Sequence, residues 1–147
     1  MTVFSMAGHL IRRLHQQSTY LFAERTQAAG FDITAVQYAA LEAVHDTPGK
    51  DQAFVAETIG YDRATIGGVI ERLEKKGWLL RVVSDRDRRA RALSLTTEGL
   101  RVLRALQPVV HALQKDILAP LSGADQARFI ALAQRVIWDT APTDTAV

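Results

Sequence analysis

The sequence predicts a mainly α-helical protein carrying one small β-hairpin, and three observations lead there. Apolar residues recur three and four apart along most of the chain, the spacing that gives a helix one buried face. Glycine and proline fall largely between these stretches, where they stop helices. Residues 78–83 are β-branched and apolar, and residues 92–96 alternate with Leu93 and Leu95 on one face, so these two runs read as strands.

The elements follow in order. Residues 5–28 form a first helix on Leu10, Ile11, Leu14, Leu21 and Phe22, ending near Gly30. Thr34 and Gln37 have the form of a capping box, in which each side chain satisfies the other's backbone N–H. Tyr38, Leu41 and Val44 then share one face of a second helix, which stops at Asp46-Thr47-Pro48-Gly49. Asp51 caps a short third helix with Phe54, Val55 and Ile59 inward and Gly60 as its stop. A link of Gly60, Tyr61, Asp62 and Arg63 leads to a fourth helix capped by Asp62 and reaching about Lys76. Its Ile66, Val69, Ile70 and Leu73 make one apolar stripe. The two strands flank a polar tip at 84–91. Thr96 or Thr97 starts a fifth helix with Leu100, Leu103, Leu106, Val110, Leu113 and Ile117 on one side, which Pro108 should kink or split. Ser122 with Asp125 caps a last helix carrying Phe129, Leu132, Val136 and Ile137, and the tail at 141–147 is expected to be loose.

Composition narrows the function. At 147 residues, with 48% hydrophobic and 23% charged, the chain suits one globular domain over 1–147. It has no cysteine, which removes disulfides, thiolate metal sites, cysteine nucleophiles and a thiol redox switch. No apolar run approaches the ~20 residues that span a bilayer, and the N-terminus lacks the order of a signal peptide. A cytoplasmic protein without membrane contact is expected. His9, His15, His45 and His111 show no metal-ligand spacing, and no phosphate loop or nucleophile elbow is present. Neither catalysis, a metal nor a cofactor is expected.

The third helix, its link, the fourth helix and the hairpin together form a unit at 51–96 with the outline of a winged helix-turn-helix, whose second helix fits the major groove of DNA. Charge supports this. Formal net charge is +2 overall, yet residues 61–96 hold nine basic side chains against five acidic, a local +4 that leaves the rest acidic. Arg81, Arg86, Arg88, Arg89 and Arg91 crowd the hairpin, as suits phosphate contact and entry to a narrow minor groove. On the fourth helix Arg63, Thr65, Gly67, Gly68, Arg72 and Lys75 are the candidate DNA contacts. Asp87 pairs with Arg89 to stiffen the tip rather than touching DNA itself. A winged helix used only for protein–protein contact is the alternative, and it has no need of a cationic tip.

With these residues assembled, the chain resembles the MarR (multiple antibiotic resistance regulator) family. The resemblance lies in DRATIGGVIERLEKKG at 62–77, Arg81, and DRRARALSLTTEG at 87–99, where Asp87, Arg89, Leu95 and Thr96 match the family's wing pattern. It implies a homodimer whose first, fifth and last helices interlock (1–30 and 97–140), with 34–96 as the DNA-binding region. It also implies a palindromic operator in double-stranded DNA, repression, and release by a small ligand. One departure is the Gly67-Gly68 pair, where many members carry Thr or Ser and Arg. Each mid-helix glycine costs ~1 kcal/mol against alanine. The pair therefore implies a close approach, either to DNA or to a neighbouring helix, and shifts base reading toward Arg63 and Thr65.

The apolar terminal segments fit the dimer. Leu103, Leu106, Val110, Leu113, Ile117, Leu118, Leu121, Phe129, Leu132 and Ile137 make more surface than one subunit is expected to bury, with Trp138 at the interface. The family's ligand pocket lies between dimer helices and winged helix. There His9, Arg12, Arg13, His15 and Tyr20 of the first helix and Tyr38 of the second are polar candidates, and arginine with histidine and tyrosine suits an aromatic carboxylate. Regulators of aromatic catabolism share the Thr-Ile-Gly-Gly type of recognition helix. His45 and His111 are expected to be surface or packing residues.

Overall fold

The structure, a computed structural model, describes residues 2–83 and 91–139. A 3-10 turn (Val3–Ser5) leads into α1 (Ala7–Ala28), α2 (Ala35–Asp46), α3 (Gln52–Ile59) and α4 (Arg63–Lys75). The hairpin β1 (Leu79–Val83) and β2 (Arg91–Leu95) follows, then α5 (Thr97–Ile117) and α6 (Gly123–Trp138). The mainly α fold with one hairpin is as the sequence implies, and the link before α4 is one residue shorter because Arg63 is already helical.

Caps set the boundaries. Thr34 and Gln37 form the reciprocal box, and Asp51, Asp62, Thr96 and Ser122 each accept the N–H three residues on. Gly60 ends α3 in the left-handed region at φ 74°, which lets Tyr61 N–H reach Ala56 O at 2.9 Å. Gly77 at φ 75° does the same for α4, with Trp78 N–H on Leu73 O at 3.0 Å.

The core joins all of these elements except the 3-10 turn and α6. Leu41, Val55, Ile66, Ile70, Leu73, Leu79 and Leu93 meet Leu103, Leu106 and Leu113 from α5. The hairpin is antiparallel, with Leu79 opposite Leu95 and Arg81 opposite Leu93. The turn before α3 adds a short third edge, since Gly49 N–H bonds Leu93 O and Leu93 N–H bonds Lys50 O.

Two expectations need correction. Pro108 does not split α5: both Pro108 and Arg104, whose carbonyl loses its helical donor, are solvent-exposed, so water can satisfy that group. Leu103, Leu106, Val110 and Leu113 are not surplus surface either. They are buried in the subunit's own core, where α5 packs along α1. The surplus lies on α6, where Phe129, Leu132, Val136, Ile137 and Trp138 are exposed and none of the helix's side chains is fully buried, and on the N-terminal segment, where Phe4, Leu10 and Ile11 are exposed.

Candidate nucleic-acid interface

The interface is built on α4. At about 100° per residue, Ile66, Val69, Ile70 and Leu73 face the core, and all are buried. The opposite face carries Ala64, Gly68, Glu71 and Lys75. Thr65 and Arg72 lie on one flank, while Arg63, Gly67 and Glu74 lie on the other.

Asp62 fixes the start of this helix. Its carboxylate accepts the Thr65 N–H at 2.8 Å and the Thr65 hydroxyl at 2.7 Å. These two donors hold the Asp62 carboxyl below its ordinary pKa. The Thr65 hydroxyl proton is thus taken, which leaves Thr65 an acceptor toward a base. Arg72 is exposed and Lys75 makes a surface pair with Glu71 at 3.3 Å. Arg63 is exposed beside a concavity that also includes Asp51, Glu57 and Asp62.

The glycine pair divides. A Cβ on Gly67 would lie 3.2 Å from Nε2 of Gln52 on α3, so a side chain there would press on that carboxamide. A Cβ on Gly68 would meet nothing within 4 Å, so that glycine faces open space on the outer side.

Two basic side chains counted with this region serve the fold instead. Arg81 Nε donates to Glu74 Oε1 at 2.6 Å, tying β1 to α4. Lys76 donates to the Asp32 carbonyl and lies 4.7 Å over the Trp78 ring. Arg91 is exposed at the start of β2. Arg86, Asp87, Arg88 and Arg89, the other wing residues singled out by sequence, lie outside the described residues.

The ligand candidates separate into two cavities. One of about 470 Å³ between α1, α2, α3 and α5 is lined by Ser18, Phe22, Tyr38, Glu42, Asp46 and their apolar neighbours. Tyr38 donates its hydroxyl to Glu42, and burial together with that contact holds the phenol above its ordinary pKa. A second cavity of about 510 Å³ between α1, α5 and α6 takes in His15, with Ser18 shared between the two. Neither is lined by His9, Arg12 or Arg13; the arginines are exposed, and His9 meets Phe4 edge-on at 6.4 Å. Tyr20 is exposed as well.

Sequence reasoning missed Glu42, although its spacing of four from Tyr38 placed it on the same helix face. Glu42, His45 and Asp46 bring potential metal-ligand atoms within 4.8 Å of one another. Oε1 of Glu42, however, already accepts from Tyr38 and from Gln107 Nε2, and the other two side chains are exposed. No helix among the described residues is long and apolar enough to cross a membrane.

The profile of the MarR family matches residues 31–90, from the entry to α2 through the hairpin tip. Over 137 residues the chain is 32% identical to the transcriptional regulator HosA of Escherichia coli O157:H7, covering 93% of this chain and 98% of HosA. The chain belongs to the MarR family. The solved structure of the PcaV transcriptional regulator from Streptomyces coelicolor, in complex with its natural ligand, superposes on this MarR-family chain with a TM-score of 0.85 at 39% identity, covering 93% of this chain and 95% of that one. BpsR of Bordetella bronchiseptica, whose DNA binding is regulated by 6-hydroxynicotinic acid, gives 0.87 at 25% identity, covering 94% and 97%. Relatives and fold thus mark a transcriptional regulator rather than an enzyme, and they do not favour a module limited to protein–protein contact.

Proposed function

We propose that this MarR-family regulator is a homodimeric repressor that binds a palindromic operator and is released by a small aromatic carboxylate. The observation that carries the DNA part is the outer side of α4, held by the Asp62 cap and bounded by Arg63 and Arg72, standing next to an arginine-rich hairpin. In this reading residues 34–96 bind DNA, with Arg63, Thr65, Gly68 and Arg72 in the major groove. Lys75, Arg86, Arg88, Arg89 and Arg91 meet phosphates or the minor groove. Residues 1–30 and 97–140 form the dimer, setting two copies of α4 about one turn of DNA apart, ~34 Å.

Binding by fluorescence anisotropy, on a duplex selected from a random library, tests this. Arg89→Ala should weaken binding to every duplex and lower the salt slope by about one. Arg63→Ala should alter sequence preference instead, by roughly tenfold at one position. Unchanged affinity in Arg89→Ala removes the wing assignment, and a uniform loss in Arg63→Ala removes its base-reading role.

The ligand part rests on chemistry. Phe22 and Tyr38, whose rings meet at 6.0 Å, line one side of the cavity, and an aromatic ring would pack against that pair. Glu42 and Asp46 repel an anion there, so the carboxylate is assigned to the basic residues of α1, His9, Arg12, Arg13 and His15, of which His15 alone lines a cavity, the neighbouring one. The regulation of BpsR by an aromatic acid supports the same class. Benzoates and hydroxynicotinates should raise the melting temperature, and Arg12→Ala or Arg13→Ala should abolish the rise. An undiminished rise in both variants, or none in the wild type, overturns the carboxylate assignment.

A further inference from the structure

Gln52 is the first residue of α3, and its helix start is fixed by Asp51, whose carboxylate accepts the Phe54 N–H at 2.9 Å. Its side chain runs to the flank of α4, where Nε2 comes within 3.2 Å of the place a Cβ would occupy on Gly67. The side chain is half-buried, and its carboxamide has no hydrogen-bond partner among the described residues. No unpartnered side-chain polar atom is buried among the described residues, so the amide stays open to solvent, with its donor and acceptor available to a partner from outside. Gly67 lies one turn beyond Arg63 on the same flank. The amide and that arginine thus belong to the same flank of α4, the side that α3 borders.

We propose that Gln52 is a specificity-determining residue for DNA, and that its carboxamide reads an adenine next to the base contacted from Arg63. A carboxamide offers one donor and one acceptor side by side, the pattern that matches N7 and N6 of adenine in the major groove. Gly67 is then a positioning residue, since a Cβ there displaces the amide. The Gly67-Gly68 pair gains a division of labour in which Gly67 makes room for a side chain from α3 and Gly68 leaves the outer face bare. The inference rests on α4 being the groove helix.

The test is selection from a random duplex library with the full-length wild type, Gln52→Ala, Gln52→Glu, Gly67→Ala and the Gln52→Ala/Gly67→Ala double variant, each checked by thermal melting. Wild type should select sites with a fixed adenine that Gln52→Ala relaxes by roughly tenfold while other positions keep their preference. Gln52→Glu should move that position toward cytosine, whose N4 amino group a carboxylate accepts from. Gly67→Ala should relax the same position and add nothing in the Gln52→Ala background. Unaltered preference in Gln52→Ala, or an equal loss at every position, overturns the proposal while leaving the groove assignment of α4 intact. A wild type that selects no sequence overturns both.

Discussion

A methyl group on Gly99 would lie 1.9 Å from the carbonyl oxygen of Trp78 and 2.8 Å from its carbonyl carbon. Both neighbours are backbone, so neither can swing aside as a side chain would. Gly99→Ala should therefore cost about 3 kcal/mol or more, at the upper end of overpacking effects, read as a fall in melting temperature; a change under about 1 kcal/mol contradicts the close approach. Nothing in the sequence marks this glycine, because Trp78 is distant in the chain and on another element. The same holds for Gln52 and Gly67. Sequence spacing exposes neighbours on one helix, such as Ile66 and Ile70, but not contacts between helices. It did show that two mid-helix glycines demand a reason; the structure places the Gln52 amide against Gly67 and leaves open space at Gly68.

At the scale of elements, local chemistry was legible. The Thr34, Asp51, Asp62 and Ser122 caps read directly from residue type, because a cap is satisfied within three residues of itself, and the structure chooses Thr96 over Thr97 for α5. The hairpin was legible too, though its first strand starts at Leu79 because Trp78 closes the α4 stop. Asp62 carries a pH consequence. Its folded pKa is lowered, so its stabilising effect is complete above the ordinary aspartate range near pH 4 and is lost as pH falls through the lowered folded value. Asp62→Asn, which keeps a cap acceptor without the titration, should lose less stability than wild type on acidification below about pH 4. Denaturation followed by circular dichroism at several pH values checks this; parallel losses in the two proteins remove Asp62 from the account.

At the scale of the whole molecule, the sequence located an excess of apolar surface and misassigned part of it. Periodicity shows that α5 has an apolar face, but not whether that face meets α1 of its own chain or a second copy. The exposed residues of α6 make the distinction, because each keeps more than a third of its surface open within the described subunit. If they form the dimer, Leu132→Asp should yield a monomer by light scattering, make the melting temperature independent of concentration, and weaken operator binding by at least tenfold. A dimer unaltered by Leu132→Asp and by Phe129→Asp moves the interface elsewhere.

The hydroxyl of Thr96 donates to the Gly77 carbonyl at 2.6 Å and accepts the Gly99 N–H at 2.9 Å, while its own N–H holds the Trp78 carbonyl at 3.1 Å. One residue therefore pins the end of α4, the root of β1 and the start of α5 to a single point. From that point α5 runs as one continuous helix of 21 residues, about 30 Å at 1.5 Å per residue. A tilt of about two degrees displaces the far end of such a helix by roughly 1 Å. The distal end of α5, beside α1 and the His15 cavity, and the base of the wing are thus joined by one continuous helix that starts at a single threonine.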